Sequence, residues 1–331
     1  MIKKFVKVIL PFLIIAILSI GGYFYSQHQN RYPSTDDAYI QADVINVASR
    51  VSGTVSKIDV RNEEHVQKGQ LLFTIDPAPF TIELNKAQAQ QDATRQKIQA
   101  ADMAVKSARA TVLERKAELT HARLETKRIL TLMKKQFVSR SDGDLAIKNL
   151  HVAEAALNAA QNQLEEMIEK RGELGDKNAQ LRLAQAAVET AKLDLQYTRV
   201  FAPTSGYIAN FNLRHGDVVS AYQPLFALIE DHIWWAQANF KETQLARIHT
   251  GEQATIKLDM YPHQIFIGKV VDVNKDSGSS FSLLPPENAS GNWVKVTQRF
   301  PVKVIITERK SGYPLRFGAS SMVTIDTTSL K

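Results

Sequence analysis

The sequence predicts an elongated protein of mixed α and β class. It starts with an N-terminal transmembrane helix, continues as a β-sandwich split by an antiparallel α-helical coiled-coil hairpin, and ends in a small β-barrel. Three observations carry this reading. A basic-flanked apolar run opens the chain, two β-type stretches repeat one another at an offset of 153 residues, and the segment between them carries a long heptad pattern.

Lys3, Lys4 and Lys7 precede an uncharged run, Val8–Tyr25. With Phe5 and Val6 it reaches about the ~20 residues needed to cross a hydrocarbon core. A cleaved signal peptide is the rival reading, but it would have a shorter apolar core ending at a small-x-small site. Here the run continues into Gly21-Gly-Tyr-Phe-Tyr25, whose tyrosines suit a membrane interface. The expectation is a retained single-pass anchor over residues 1–26, its N-terminus cytoplasmic by the positive-inside rule and the body across the membrane. Residues 27–43 follow as linker and first strand. They read as a polar stalk through Ala38, with alternating β-type sequence from Tyr39.

In the repeat, Ser52-Gly53-Thr-Val55 matches Ser205-Gly206-Tyr-Ile208. The same offset pairs Val60 with Leu213, Glu64 with Asp217, Val66 with Val219, Gln70 with Gln223, Leu72 with Leu225, Phe73 with Phe226 and Ile75 with Leu228. Each copy alternates apolar residues with polar turns and reads as a few short strands. Neither has enough strands to bury a face alone. Residues 44–79 and 199–231 are therefore expected to pack together as the two halves of one sandwich.

Residues 80–198 separate the halves. No Gly or Pro occurs from Phe80 to Asp142. The a/d seam reads Ile98, Ala101, Val105, Ala108, Val112, Arg115, Leu119, Ala122, Thr126, Ile129, Met133, with nine of eleven positions apolar, so it is a heptad repeat rather than general hydrophobicity. After Ser139-Arg-Ser-Asp-Gly143 a second seam reads Ala146, Leu150, Ala153, Leu157, Ala160, Leu164, Met167. Its frame shifts by three near Gly172 and Gly175, which reads as a stammer, and resumes at Leu174, Leu181, Ala184, Val188, Ala191, Leu195. Arms of similar length joined by one short turn must be antiparallel. A compact bundle with a corner at Gly172 is the alternative.

Residues 232–331 return to β sequence, expected as a barrel and membrane-proximal region. Strand candidates are Ile233–Phe240, Ala254–Leu258, Ile265–Val273, Trp293–Thr307 and Ser321–Ile325. Glu242–Ile248 reads as a short helix and Lys275–Asn292 as a loop. Adjacent Trp234 and Trp235 should point to opposite faces of their strand.

The chemistry of the chain is defined mainly by exclusions. With no cysteine there is no disulfide framework, thiolate metal site or thiol nucleophile. None of the eight histidines has another three or four residues away, and no phosphate-binding or nucleophile-elbow motif occurs, so no catalytic, cofactor or metal residue is assigned. Asp36-Asp37 could form an acid/base pair, but reads better as solvated stalk. The 41 basic and 34 acidic residues are interleaved rather than clustered, which argues against nucleic acid as a partner.

The split halves, with Ser-Gly-x-Val and Gln-x-Leu-Phe, resemble the lipoyl/biotinyl carrier fold. Where carriers bear a modified lysine this chain has Pro77-Ala-Pro79, so no cofactor is implied. From Thr35-Asp-Asp-Ala-Tyr39 onward the layout resembles the HlyD/EmrA family of periplasmic adaptors, or membrane fusion proteins. The matching stretches are Val66–Pro77, Val200–Gly206, Ala238–Leu245 and Gln298–Lys303. The resemblance implies an adaptor that links an inner-membrane transporter, favoured as the major-facilitator type, to a TolC-like outer-membrane channel. It further implies export of small toxic compounds or drugs, and self-assembly into a trimer or hexamer ring. An adaptor for an ATP-driven exporter and an envelope tether are the alternatives. At hairpin tips of this family an Arg is followed by a Leu four residues on and a Ser eleven residues on. Arg128, Leu132 and Ser139 stand at those intervals, amid Lys127, Lys134, Lys135 and Arg140.

Overall fold

The computed structural model describes Ser19, Gln27 and residues 31–277, 297–310 and 312–328. Apart from Ser19, the anchor expected over residues 1–26 lies outside them, as does most of the loop expected at 275–292. Among the described residues no helix is long and apolar enough to cross a membrane. The chain divides into two units. One holds the described residues up to Ser49, Ile58–Phe73 and those from Val200 onward; the other holds Arg50–Lys57 and Thr74–Arg199.

The first unit is built on β1 (Ser34–Ala48), β3 (His65–Val66), β6 (Gly206–Ala209), β8 (Pro224–Lys241), β9 (Gln253–Leu258), β10 (Ile265–Val273), β11 (Arg299–Ile306) and β12 (Ser320–Asp326). Their order is β1-β12-β9-β10-β11-β8-β6-β3, and β1 also pairs with β8. That extra pairing closes six of the strands, all antiparallel, into a barrel without a free edge. Inward positions alternate along each strand. Ile40, Trp234, Ala236, Phe240, Ile256, Leu258, Phe266, Val302, Val304, Val323 and Ile325 fill the interior. Trp234 is buried, whereas Trp235 faces outward beneath the Lys303 ammonium, 3.8 Å from the ring centroid. A short helix, α4 (Glu242–Leu245), follows β8.

Residues 34–38, read from sequence as stalk, are instead the start of β1. Thr35 is buried and its hydroxyl donates to the Asn239 carbonyl at 2.9 Å. Asp37 accepts from Asn239 Nδ2 at 3.0 Å and pairs with Arg299 at 3.2 Å. The two aspartates looked solvated because a polar strand on a barrel surface has the same composition as a linker.

The repeat has a physical basis. The remaining short strands are β2 (Gly53–Ile58), β4 (Leu71–Ile75), β5 (Arg199–Phe201) and β7 (Val218–Val219), while β3 pairs with β6. At the 153-residue offset β2 corresponds to β6 and β3 to β7, and within the first unit the short strand of one copy, β3, lies beside the first strand of the other, β6. Individual bonds obey the same relation. Gly69 N–H donates to the Ala202 carbonyl at 2.8 Å, and Tyr222 N–H to the Ser49 carbonyl at 2.7 Å. Arg61 N–H donates to the Glu64 carboxylate at 2.9 Å, and Arg214 N–H to the Asp217 carboxylate at 2.7 Å. Left-handed backbone recurs as well, at Gly69 (φ 81°) and Tyr222 (φ 63°) and at Glu63 (φ 64°) and Gly216 (φ 91°). Gly206 opens β6 because a Cβ there would lie 2.2 Å from the Ile229 carbonyl oxygen of β8.

The second unit is dominated by α1 (Ala78–Lys134), α2 (Arg140–Arg171) and α3 (Ala179–Tyr197). Its 57 residues make α1 about 85 Å long. Both shorter helices pack on it. Arg123 pairs with Glu154, Asp102 with Arg171 and Gln91 with Gln185, so numbers fall on one arm as they rise on the other. The arms are therefore antiparallel. Val105 and Leu119 are buried, and Val112, Leu150, Leu157 and Leu164 are half-buried, as positions between only two helices must be.

The frame shift is a break rather than a stammer. Helix α2 stops at Gly172, a single 3-10 turn covers Gly175–Lys177, and α3 starts after Asn178. Leu174, expected at the seam, is 61% exposed in this elbow, and burial resumes beyond it at half-buried Leu181 and buried Ala184. Asn178, 2% exposed, holds the elbow. Its Nδ2 donates to the carbonyls of Arg171 (2.9 Å) and Glu173 (3.0 Å), and its Oδ1 accepts from Gln180 N–H (3.0 Å) and Leu181 N–H (3.3 Å). Arg171, at the end of α2, reaches Asp102 on α1 at 3.1 Å. Hydrogen bonding from Lys106, then from Arg171, lowers the Asp102 pKa.

Candidate functional site at the hairpin tip

The turn between α1 and α2 is fixed from both ends by backbone geometry. Helix α1 closes with Gln136 in the left-handed region (φ 60°), Gln136 N–H donating to the Met133 carbonyl at 2.9 Å and Phe137 N–H to the Leu132 carbonyl at 3.0 Å. This paired pattern satisfies carbonyls that a helix C-terminus would otherwise leave open. Helix α2 opens with a capping box. Asp142 N–H donates to Ser139 Oγ at 3.1 Å, and Asp142 Oδ2 accepts from Ser139 N–H at 3.0 Å and from Ser139 Oγ–H at 2.7 Å. Those bonds hold the Asp142 carboxyl below its ordinary pKa, the hydroxyl first and the amide second. Behind the turn, a Cβ on Gly143 would sit 2.6 Å from Met133 Sδ, so glycine lets the arms close together.

Arg128 is exposed and forms an ion pair with Glu125 one turn back, at 2.5 Å. Leu132 is half-buried. Ser139 is exposed, but its one hydroxyl proton already goes to Asp142. The three expected residues thus share one end of the hairpin and differ in availability. Lys127, Lys134, Lys135 and Arg140 are all exposed around them.

Sequence reasoning passed over Phe137, which lies in the turn and is 74% exposed. A signal was present: an aromatic residue outside both seams, directly after Lys134-Lys135-Gln136. Among the described residues no group of His, Asp or Glu could hold a metal ion. The site offers cationic, apolar and hydrogen-bonding surface on a stiff support, which suits recognition of another macromolecule.

Residues 43–231 match the family described as the RND MFP barrel-sandwich hybrid domain, and residues 233–326 the AAEA-like β-barrel domain. Multidrug export protein EmrA of Escherichia coli K12 is 34% identical over 322 residues, covering 94% of this chain and 80% of the relative. Multidrug resistance protein MdtN of Shigella flexneri is 34% identical over 326 residues, covering 95% of each. Among solved structures, a MacA–MexA chimaera carrying the Pseudomonas aeruginosa MexA α-hairpin domain shares the fold. Its TM-score is 0.53 at 18% identity, over 89% of this chain and 81% of that one.

Proposed function

The chain belongs to the membrane fusion proteins, the periplasmic adaptors of multidrug export, and we propose that it links an inner-membrane transporter of the major-facilitator type to a TolC-like outer-membrane channel. In this reading a single helix within residues 1–26 anchors the protein, its N-terminus is cytoplasmic, and a trimer or hexamer of copies encloses the export path. Coupling is by contact and needs no catalytic step, cofactor or metal. The transporter class is supported by the Thr35–Tyr39 stretch, which resembles the EmrA type, and the envelope location by the basic-flanked apolar run.

The observation that carries the channel contact is the capped tip, on which Arg128 stands exposed beside half-buried Leu132. Ser139 acts there chiefly as a positioning residue, since its hydroxyl is committed to the cap and keeps only a lone pair for a partner. The test reverses charge at exposed positions, Arg128→Asp with Lys134→Glu. Such changes on a helix surface should alter stability by no more than about 0.5 kcal/mol. The variant should reach the membrane at normal levels, lose in-cell cross-linking to the channel and leave cells as drug-sensitive as a deletion. Full export with normal cross-linking would overturn the proposal.

A further inference from the structure

We propose that Phe137 is the apolar anchor of the tip, seating in an acid-rimmed apolar socket on the outer-membrane channel. The inference rests on the docking reading above and names the chemistry of its contact. Its first support is what the turn does not need. The helix ends at the tip are capped by backbone bonds from Gln136 and Phe137 and by Ser139 with Asp142, and none of these uses a phenylalanine side chain. In this type of helix ending, the residue after the left-handed position usually packs its side chain back onto the last turn. That contact would be with Leu132, yet 74% of Phe137 remains exposed. A large aromatic held on a rigid turn and left in water contributes little to the fold. Phenylalanine, with the other aromatics, is enriched at the cores of protein interfaces.

The second support is charge. Lys127, Arg128, Lys134, Lys135 and Arg140 surround the turn, against Glu125, Asp142 and Asp144. Glu125 and Arg128 compensate each other and Asp142 is held in the cap, which leaves Lys127, Lys134, Lys135 and Arg140 against Asp144. Arg140 occupies the first turn of α2, where the helix dipole disfavours a cation, so its charge is not placed for stability. A partner must therefore offer carboxylates around an apolar recess. A phenylalanine among lysines also suits an anionic membrane surface. Interfacial anchoring, however, takes a broad apolar face, and here one side chain stands alone on a turn.

The test uses the full-length protein in its own cells. Phe137→Ser should keep melting behaviour and membrane level, but cut channel cross-linking roughly tenfold or more, the scale of a lost anchor. Phe137→Trp and Phe137→Leu should restore most of it. A p-benzoyl-phenylalanine at position 137 should photo-cross-link to a protein that mass spectrometry identifies as the outer-membrane channel. Normal export by Phe137→Ser, while the Arg128→Asp, Lys134→Glu variant fails, would overturn the anchor and leave the docking reading standing. Normal export by both variants would remove both. Photo-adducts on lipid, or Phe137-dependent binding of purified protein to phosphatidylglycerol vesicles, would overturn the socket in favour of a membrane.

Discussion

Asn178 offers a sharp test of how the hairpin holds its second arm together. It is 2% exposed, and its four bonds run two to the end of α2 and the link after it and two to the start of α3. Asn178→Ala removes a helix N-cap, worth about 1 kcal/mol. It also leaves the carbonyls of Arg171 and Glu173 without their donor. A fully buried orphan costs about 1–3 kcal/mol, but Glu173 is exposed and Arg171 only half-buried, so water can reach them and the lower end applies. Together the loss is about 2–3 kcal/mol, or a roughly 30- to 150-fold larger open population. Asn178→Asp separates the two roles, because Asp and Asn are equally good N-caps. If Asn178 only capped α3, the Asp variant would match the wild type. If it also donates to α2, a carboxylate oxygen now faces two carbonyl oxygens at about 3 Å, and the variant should be at least as unstable as Ala. Its penalty should shrink at acid pH, where a carboxyl with a raised folded-state pKa takes up the proton it needs to donate. Amide hydrogen exchange at residues 179–183 measures this locally, without assuming all-or-none unfolding of a multi-unit chain. Wild-type protection in the Asp variant would refute the two-sided clamp.

Leu157→Asp introduces a charge at a half-buried seam position; it should cost about 1–3 kcal/mol and loosen the helices while the β-sheets persist, and unchanged protease resistance over residues 80–198 would count against the seam. Gly206→Ala should destabilise by about 1–3 kcal/mol because the obstacle is the Ile229 backbone, which cannot rotate away; a thermal melt within error of wild type would refute that contact. Gly69→Ala meets nothing within 4 Å, so its cost of about 1–2 kcal/mol should come from the left-handed backbone alone; a melt unchanged from wild type would show that this turn relaxes. The Asp142 cap should persist above the carboxyl's ordinary value of 3.8 and fail as pH falls through its lower folded-state pKa, seen as faster exchange at residues 140–144; an acid response unchanged in Asp142→Asn would show that this carboxyl is not its source.

The sequence made the fold legible wherever a period governs burial. Heptad spacing marked positions from Val105 to Leu164 that are buried or half-buried, and strand alternation put Trp234 and Trp235 on opposite faces, of which the Trp234 face is the interior. Legibility failed where composition is shared by two structures. Asp36 and Asp37 are as polar on a barrel strand as on a stalk, and only the partners Asn239 and Arg299, more than 200 residues away, decide between them. It also failed where geometry is local. The three-residue shift at Gly172 fits a continuous, overwound helix as well as a broken one, and the clamp by Asn178 selects the break. At the tip, Arg128, Leu132 and Ser139 were marked by the intervals of the family the chain resembles, not by any period of its own sequence. Phe137 lies outside every period, and a turn aromatic becomes conspicuous only once its exposure is known.

Local backbone bonds let a long insertion interrupt a two-copy β-domain. The chain leaves at Ile75 and returns at Arg199, and Ile75 N–H donates to the Thr198 carbonyl at 2.7 Å. Asp76 N–H bonds back to the Thr54 carbonyl at 2.8 Å, and the Arg50 guanidinium lies 4.8 Å from the Tyr197 ring centroid. The insertion's two ends are therefore neighbours, tied by short bonds. A loop whose ends already meet adds closure entropy only logarithmically with length, about 0.6 kcal/mol for each doubling. An antiparallel hairpin repays that cost along its own seam, one heptad at a time. The seam therefore grows with the arms, whereas the bonds at Ile75 and Asp76 involve only the few residues where the chain departs and rejoins.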